Sequence, residues 1–531
     1  MTHPSSPPPP PEQTPPGSFG PPPPGHPAGF GPPVAPPPGG YGPSQLPGPH
    51  LSAPTPPPGG RSGGSRGRLA IITSAVLAIG LIVGGGVWYA ATQGDDGKDK
   101  DKTAAKPRDD GAGPAYEKPR ERVPTNPKAF FKGSAPQPDL PKGEFSTWEV
   151  KGSWLTDKVY AKASVDRITG MDPATGKDVW KLPKHGMSCA GSPDLGKGNI
   201  AVVVVQEKRT DENDYRMPCT EVMAFDVDNG KKLWTKSVNV GYQKEKTAFN
   251  QVTISGDTVA AGGIYGGAAF DLRTGKLLWK PKTGEKCADL GYGGGDQLVA
   301  VRACGEIGSE RYEVQALEAS GKPKWTYKLP AGVKKPSVVS SRPVVFALDA
   351  GEISASGATE AFSLDERGRL RAKIALTEGK YMHACGTQSI IQDCRGIVAG
   401  NGKLYVPTAR REGAKEYTST NDIVSFSLAT GKPTGERLEG GDNHPVFPIR
   451  MDGGNLLVYK SSPFGQVVSV NGRTRKQTTL LDAGARPGGM VSPLRSELLY
   501  TNGNLYLSTD LISRTSGKGK DPVMVYGFAA K

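Results

Sequence analysis

The sequence predicts an all-β fold, a β-propeller of eight blades with seven as the alternative count. Three observations support this. A strand-turn-strand unit recurs through the C-terminal three-quarters of the 531-residue chain. Its turn glycines Gly176, Gly230, Gly275, Gly321, Gly368 and Gly431 are separated by 54, 45, 46, 47 and 63 residues. Ahead of most units stands another strand opened by a Gly/Asn/Asp turn, as in Gly198 to Val205, Gly256 to Ala261 and Gly454 to Tyr459. Short strands repeating every ~40–50 residues mark radially repeated four-stranded sheets.

Taken in order, residues 1–68 are a Pro/Gly-rich tail, and half of the 50 prolines precede residue 61. Runs such as Pro7 to Pro11 and Pro21 to Pro24 carry too little apolar surface to offset the entropy of ordering. Disorder with polyproline II character is expected there.

Residues 69–91, from Leu69 to Ala91, hold no charge. At 1.5 Å per residue an apolar stretch of this length spans a hydrocarbon core of about 30 Å, so one membrane helix is expected. Trp88 and Tyr89 fall where an interfacial aromatic belt would lie. A signal peptide is disfavoured, because the apolar run comes late and no small-x-small cleavage site follows. Arg61, Arg66 and Arg68 crowd its N-terminal flank, whereas Asp95 and Asp96 open the other. The positive-inside tendency therefore puts the tail in the cytoplasm and the remainder outside. Gly80 and Gly84 form a G-x-x-x-G spacing open to helix packing. Residues 92–142 read as a charged, flexible extracytoplasmic linker.

From residue 143 to 531 the repeat takes over. Its cores run from Ile168 to Trp180, Val222 to Trp234, Gly267 to Trp279 and Val314 to Trp325, with weaker copies at 361–370, 423–432 and 467–473. In the clearest, Ala269 and Asp271 alternate with bulkier residues, and Thr274-Gly275 supplies a positive-φ position at low steric cost. The last unit, Val523 to Phe528, lacks its own outer strand. Phe145 to Val150, whose Trp148 matches the outer-strand tryptophan, is the expected replacement, closing the ring by pairing the chain's two ends.

The A-(L/F)-D-x-x-T-G-K-x-x-W core of residues 268–279 and its copies resemble the pyrroloquinoline-quinone-like (PQQ-like) propeller repeat. That family includes quinoprotein dehydrogenases, the periplasmic barrel-assembly propeller lipoprotein and extracytoplasmic propellers of actinobacteria. With its tail, span and tether, the whole chain looks like an actinobacterial single-pass membrane protein. The resemblance implies that a dehydrogenase of this family would hold its quinone near adjacent cysteines, a calcium or lanthanide site and a catalytic Asp. No two cysteines are adjacent here.

The remaining residues point to structure and binding. Asp172, Asp226 and Asp271 stand beside the turns, where an Asp bonds local amides. Trp180, Trp234, Trp279 and Trp325 recur at one repeat position, as expected of residues packed between blades. The six cysteines of an exported chain suit disulfides. Six allow about fifteen connectivities; local spacing favours Cys189 with Cys219, Cys287 with Cys304, and Cys385 with Cys394. His383 beside the last pair makes a poor zinc set, and His185 and His444 have no nucleophile motif near them. The net charge of +14 is scattered among acidic residues, as on a solvated surface, so no nucleic acid is expected. The insertions 206–221, 305–313, 409–422 and 510–522 are the expected binding surface. The expectation is a membrane-anchored, extracytoplasmic, non-enzymatic binding or scaffold module for a protein or cell-envelope ligand. It has no catalytic, cofactor or metal residues. A quinone-cofactor oxidoreductase and a ligand-binding sensor are the alternatives.

Overall fold

The second strand of each unit is apolar on both faces, and this dictates the architecture. Ile200–Val205 and Val344–Asp349 are buried at every position. A strand covered on both sides belongs to a sheet packed between two others. Outer strands such as Leu370–Ala375 instead alternate buried and exposed positions.

In the computed structural model of the chain, the residues described are 117–138, 140, 146–208, 218–239, 246–282, 284–306, 308–350, 358–385, 390–461, 465–484, 492–514 and 523–530. The proline-rich tail, the apolar segment 69–91 and most of the expected linker lie outside them. The described residues form eight four-stranded antiparallel sheets, the blades of a propeller. Blades 1 to 7 span 153–183, 188–236, 251–279, 287–328, 334–375, 398–439 and 446–482; blade 8 unites Glu497–Thr501, Asn504–Ser508, Val523–Ala530 and Ala129–Pro136. Eight buried apolar clusters divide the core, one at each junction between neighbouring blades. The first strands of all eight blades line a single axial cavity.

The ring closes by joining the two ends of the propeller, but not through residues 145–150. Ala129–Pro136 supplies the outer strand, pairing Ala129 with Ala530 and Pro136 with Val523. Val523–Ala530 is eight residues long and so is Ala129–Pro136, a match that a three-residue strand could not give. Phe131 also packs against Phe528, the rings tilted at 55° with centroids 5.7 Å apart. Thr147–Glu149 forms a separate ribbon with Leu511–Ser513, and Trp148 is buried in the blade 8–blade 1 core rather than standing at the outer-strand position. The propeller boundary consequently moves upstream of residue 143. Glu121 pairs with Arg450, the Arg120 amide donates to the Asp452 carboxylate at 2.9 Å, and the Gly454 amide donates to the Glu117 carbonyl at 2.8 Å.

Candidate functional site

Successive connections in an antiparallel meander alternate between the two ends of the sheet. Links from one blade to the next therefore share a face with the connections between second and third strands. Every long insertion of the repeat leaves and re-enters its blade on this face: 206–220 in blade 2, 305–310 in blade 4, 408–421 in blade 6 and 509–522 in blade 8. The opposite face carries the tight Thr-Gly-Lys turns. The three disulfides also gather on the loop face. Cys287 and Cys304 are directly opposed at the loop-face ends of two strands. Cys189, on the first strand of blade 2, bonds Cys219 at the end of the blade's insertion. Cys385 and Cys394 close a two-stranded hairpin in the link between blades 5 and 6. Ile264, Tyr265 and Tyr417 stand on this face with 64%, 64% and 98% of their surface exposed.

Residues 391–395, within that hairpin, reach across the axis. The Thr253 hydroxyl and the Gly294 amide both donate to the Gln392 side-chain carbonyl, at 2.7 and 3.0 Å. The Ile391 amide donates to Gln251 at 3.1 Å, and the Val338 amide to the Ile391 carbonyl at 2.6 Å. On the far side Arg395 donates to Asp510 at 2.9 Å and to Asp393 at 3.1 Å. One segment thus links blades 3, 4, 5 and 8 over a cavity of about 520 Å³.

The charges around the cavity neutralise one another. Lys162, 1% exposed, donates to Glu497 and to the Val150 carbonyl, each at 2.6 Å. Glu497 also accepts from the Gly152 amide at 2.7 Å and the Ser508 hydroxyl at 3.1 Å. Burial pushes the Asp393 carboxyl up, and the Arg395 charge pulls against that rise. Each carboxylate serves a neighbour, which is the arrangement of a hydrogen-bonded charge network.

The residues singled out in the sequence fall into structural roles. Asp172 accepts from the Ala174 amide at 2.6 Å, and Asp271 from the Thr274 amide at 2.8 Å and its hydroxyl at 2.6 Å. These Thr274 hydrogen bonds hold the Asp271 carboxyl below the usual carboxylate range. Trp180 and Trp234 donate to the carbonyls of Val227 and Leu272 in the following blade, at 3.1 and 2.9 Å. A methyl group on Gly230, Gly275, Gly321 or Gly368 would meet the indole of Trp180, Trp234, Trp279 or Trp325 within 2.9 Å. The turn glycines therefore serve close approach as well as positive φ. Gly176 shares the positive φ, at 71°. His444 Nδ1 meets the Ser461 carbonyl at 3.2 Å, His185 is exposed and His383 is buried. Sequence reasoning missed Trp154, Lys162, Glu497 and Gln392. Only the lone Lys162 in an otherwise apolar strand, Tyr160–Ala163, signalled a buried partner.

A family model described as "Outer membrane protein assembly factor BamB", PQQ_2, matches residues 143–286 and 268–438, more than half of the chain. The chain belongs to this family. The matched residues run from the start of blade 1 into blade 6. No curated protein matches the chain. Among solved structures, Saccharomyces cerevisiae Sqt1 is 10% identical and covers 77% of this chain and 100% of its own, at a TM-score of 0.40. Kuenenia stuttgartiensis hydrazine synthase is 13% identical over 67% of this chain and 100% of its own, at 0.36. The Myceliophteria thermophila Cps50 (Swd1) propeller domain is 11% identical over 59% and 94%, at 0.34.

The quinone that gives the PQQ-like repeat its name does not fit the residues present. All six cysteines are consumed in disulfides between non-adjacent positions. Among the described residues, the one cluster of metal-type ligands is Cys287, Cys304 and Glu313, whose two sulfurs are bonded to each other. A disulfide offers no thiolate to a metal. The carboxylates around the axis are already committed to Lys162 and Arg395.

Proposed function

We propose that this propeller is a non-enzymatic binding or scaffold module, held outside an actinobacterial cell membrane by residues 69–91, that presents its loop face to a protein or cell-envelope partner. The observation that carries the reading is the concentration of individuality on one face. The insertions of blades 2, 4, 6 and 8 leave and re-enter the sheets there, and all three disulfides and the exposed Ile264, Tyr265 and Tyr417 lie there, while the other face carries the Thr-Gly-Lys turns. Disulfides at the loop ends limit the ordering entropy lost on binding, and exposed aromatics are the residues that dominate protein interfaces. Membership of a family named for an assembly factor supports a partner that is itself a protein.

Site-specific photo-crosslinking in intact cells tests this with the full chain. A crosslinker at Tyr265 or Tyr417 on the loop face is expected to capture a discrete protein or envelope adduct, and one at Lys231 or Lys276 in the turns of blades 2 and 3 is not. Equal capture from both faces overturns the loop-face reading. Saturable dye reduction by the full chain loaded with pyrroloquinoline quinone and calcium overturns the non-enzymatic one.

A further inference from the structure

Cys287 and Cys304 stand on the first two strands of blade 4, Cys287–Gly293 and Leu298–Cys304, and face each other in register. The third strand, Arg311–Leu317, sets Arg311 opposite Cys304 and Glu313 opposite Arg302. Side chains two apart on a strand share a face of the sheet, so Glu313 lies on the face that carries the two cysteines. One carboxylate oxygen of Glu313 and the two sulfurs all lie within 4.8 Å of one another, and all three residues are partly exposed. Arg302, the cross-strand neighbour of Glu313, is committed elsewhere. Its Nε donates to Asp289 at 2.7 Å and its Nη2 to the Cys287 carbonyl at 3.2 Å. Glu313 itself forms no ion pair with a described residue. The other two disulfides differ. Each has a member only 6% exposed, Cys219 or Cys385, and among the described residues neither has a His or carboxylate completing a three-ligand cluster.

We propose that Cys287, Cys304 and Glu313 form a latent zinc site, closed as the disulfide and opened by a dithiol reductant. Thiol–disulfide exchange passes two electrons to the Cys287–Cys304 bond. The reductant's two thiols become its own disulfide, and their two protons go to the cysteine sulfurs. Zn²⁺ then displaces both protons, bonds the two thiolates and a Glu313 oxygen, and keeps water as its fourth ligand. A tetrahedron with Zn–S of about 2.3 Å and Zn–O of about 2.1 Å sets ligand atoms roughly 3.6–3.8 Å apart. Once the sulfurs part, Glu313 has only about 1 Å to close from the 4.8 Å limit of the cluster. Two sulfurs and one carboxylate oxygen suit a borderline-soft ion rather than calcium or magnesium, which take oxygen ligands. Two thiolates and a carboxylate leave the loaded site anionic, and Arg311 and Lys328, in register with Cys304 and Glu313, face that charge. The disulfide and the zinc-loaded form both tie the first two strands of blade 4 together; the reduced, metal-free form alone releases them. The site does not depend on what binds the loop face.

The test titrates Co²⁺, a spectroscopic substitute for Zn²⁺, into the full chain in nanodiscs. The chain is first reduced with tris(2-carboxyethyl)phosphine, which is then removed under anaerobic conditions. Sulfur-to-cobalt charge-transfer absorption with tetrahedral d–d bands is expected after reduction and not before it, and Zn²⁺ should displace the signal. Cys287→Ser with Cys304→Ser should abolish it, whereas Cys189→Ser with Cys219→Ser should leave it. Glu313→Gln, which keeps the disulfide, should weaken cobalt binding about tenfold or more. No charge-transfer band in the reduced chain, a band retained without Cys287 and Cys304, or unchanged affinity in Glu313→Gln overturns the proposal. If the double serine variant at 287 and 304 does not fold by circular dichroism, the Glu313→Gln affinity decides alone. A chain that unfolds on reduction also overturns it, because the site needs the three strands of blade 4 in place.

Discussion

Trp234 shows what one residue contributes here. It is 7% exposed, bridges blades 2 and 3 and donates to the Leu272 carbonyl. Trp234→Ala should lower stability by about 3–5 kcal/mol, the cost of removing a large buried aromatic, read as a reduced urea midpoint at unchanged m. Lys184 has the opposite character. Burial pushes its ammonium down to about 7, although Nζ donates to the Val165 carbonyl at 3.0 Å and to the Gly186 carbonyl. Between about pH 7 and the ordinary lysine range the unfolded chain holds a proton that the folded chain has released, so stability rises with pH across that window. Lys184→Met should flatten the rise, which urea midpoints at pH 7, 8.5 and 10 would reveal. Asp422 works in the acid range. Burial raises its carboxyl, but the hydrogen bonds from Arg411 (2.9 and 3.0 Å) and from Arg437 outweigh that and hold it below the usual range. Its stabilisation is complete above the unfolded carboxylate pKa and is lost as pH falls through the folded value. Asp422→Asn should therefore shrink the loss of stability below about pH 4.

At the scale of elements, the loop-face disulfides and the closing strand separate clearly. Cys189–Cys219 encloses 30 residues, against 17 for Cys287–Cys304 and 9 for Cys385–Cys394. Loop-closure entropy then predicts stabilisation of about 3.6, 3.1 and 2.6 kcal/mol respectively. Paired Cys→Ser variants compared by denaturant unfolding check that order. The closing strand is the more drastic element. A chain beginning at residue 143 lacks Ala129–Pro136 and leaves Val523–Ala530 as an eight-residue open edge, where one beginning at 117 keeps it covered. The shorter chain should self-associate and the longer remain monodisperse, as size-exclusion chromatography with light scattering would show. These elements were unequally legible. The second strands and turns announced themselves through apolar runs and the Thr-Gly-Lys pattern. Ala129–Pro136 did not, because its partner is some 400 residues away, it sits among prolines, and it lacks the tryptophan that marks the outer strands of blades 1 to 4. Trp148 mimicked that mark at the wrong place.

For the whole molecule, the ring turns local repetition into two unlike faces. Its core consists of one apolar layer per junction, so stability accumulates through neighbour contacts while the axis is left to a polar network. The candidate site was partly legible. Insertions by length and cysteines by count were visible along the chain. The bridge of Gln392 and Arg395 across the axis was not, because hydrogen bonds linking residues more than 100 positions apart leave no periodic trace.

The sequence by itself determined the repeat, the strand order within blades 1 to 7, the turns and the all-β class. Each of these depends on residues within about 45 positions of one another, where apolar alternation and positive-φ requirements act directly. Tertiary structure alone decided which strand closes the ring, where the propeller begins, which junctions are clamped by indole and which charges meet at the axis. Those outcomes depend on length matching and side-chain packing between segments brought together only when the blades close into a ring.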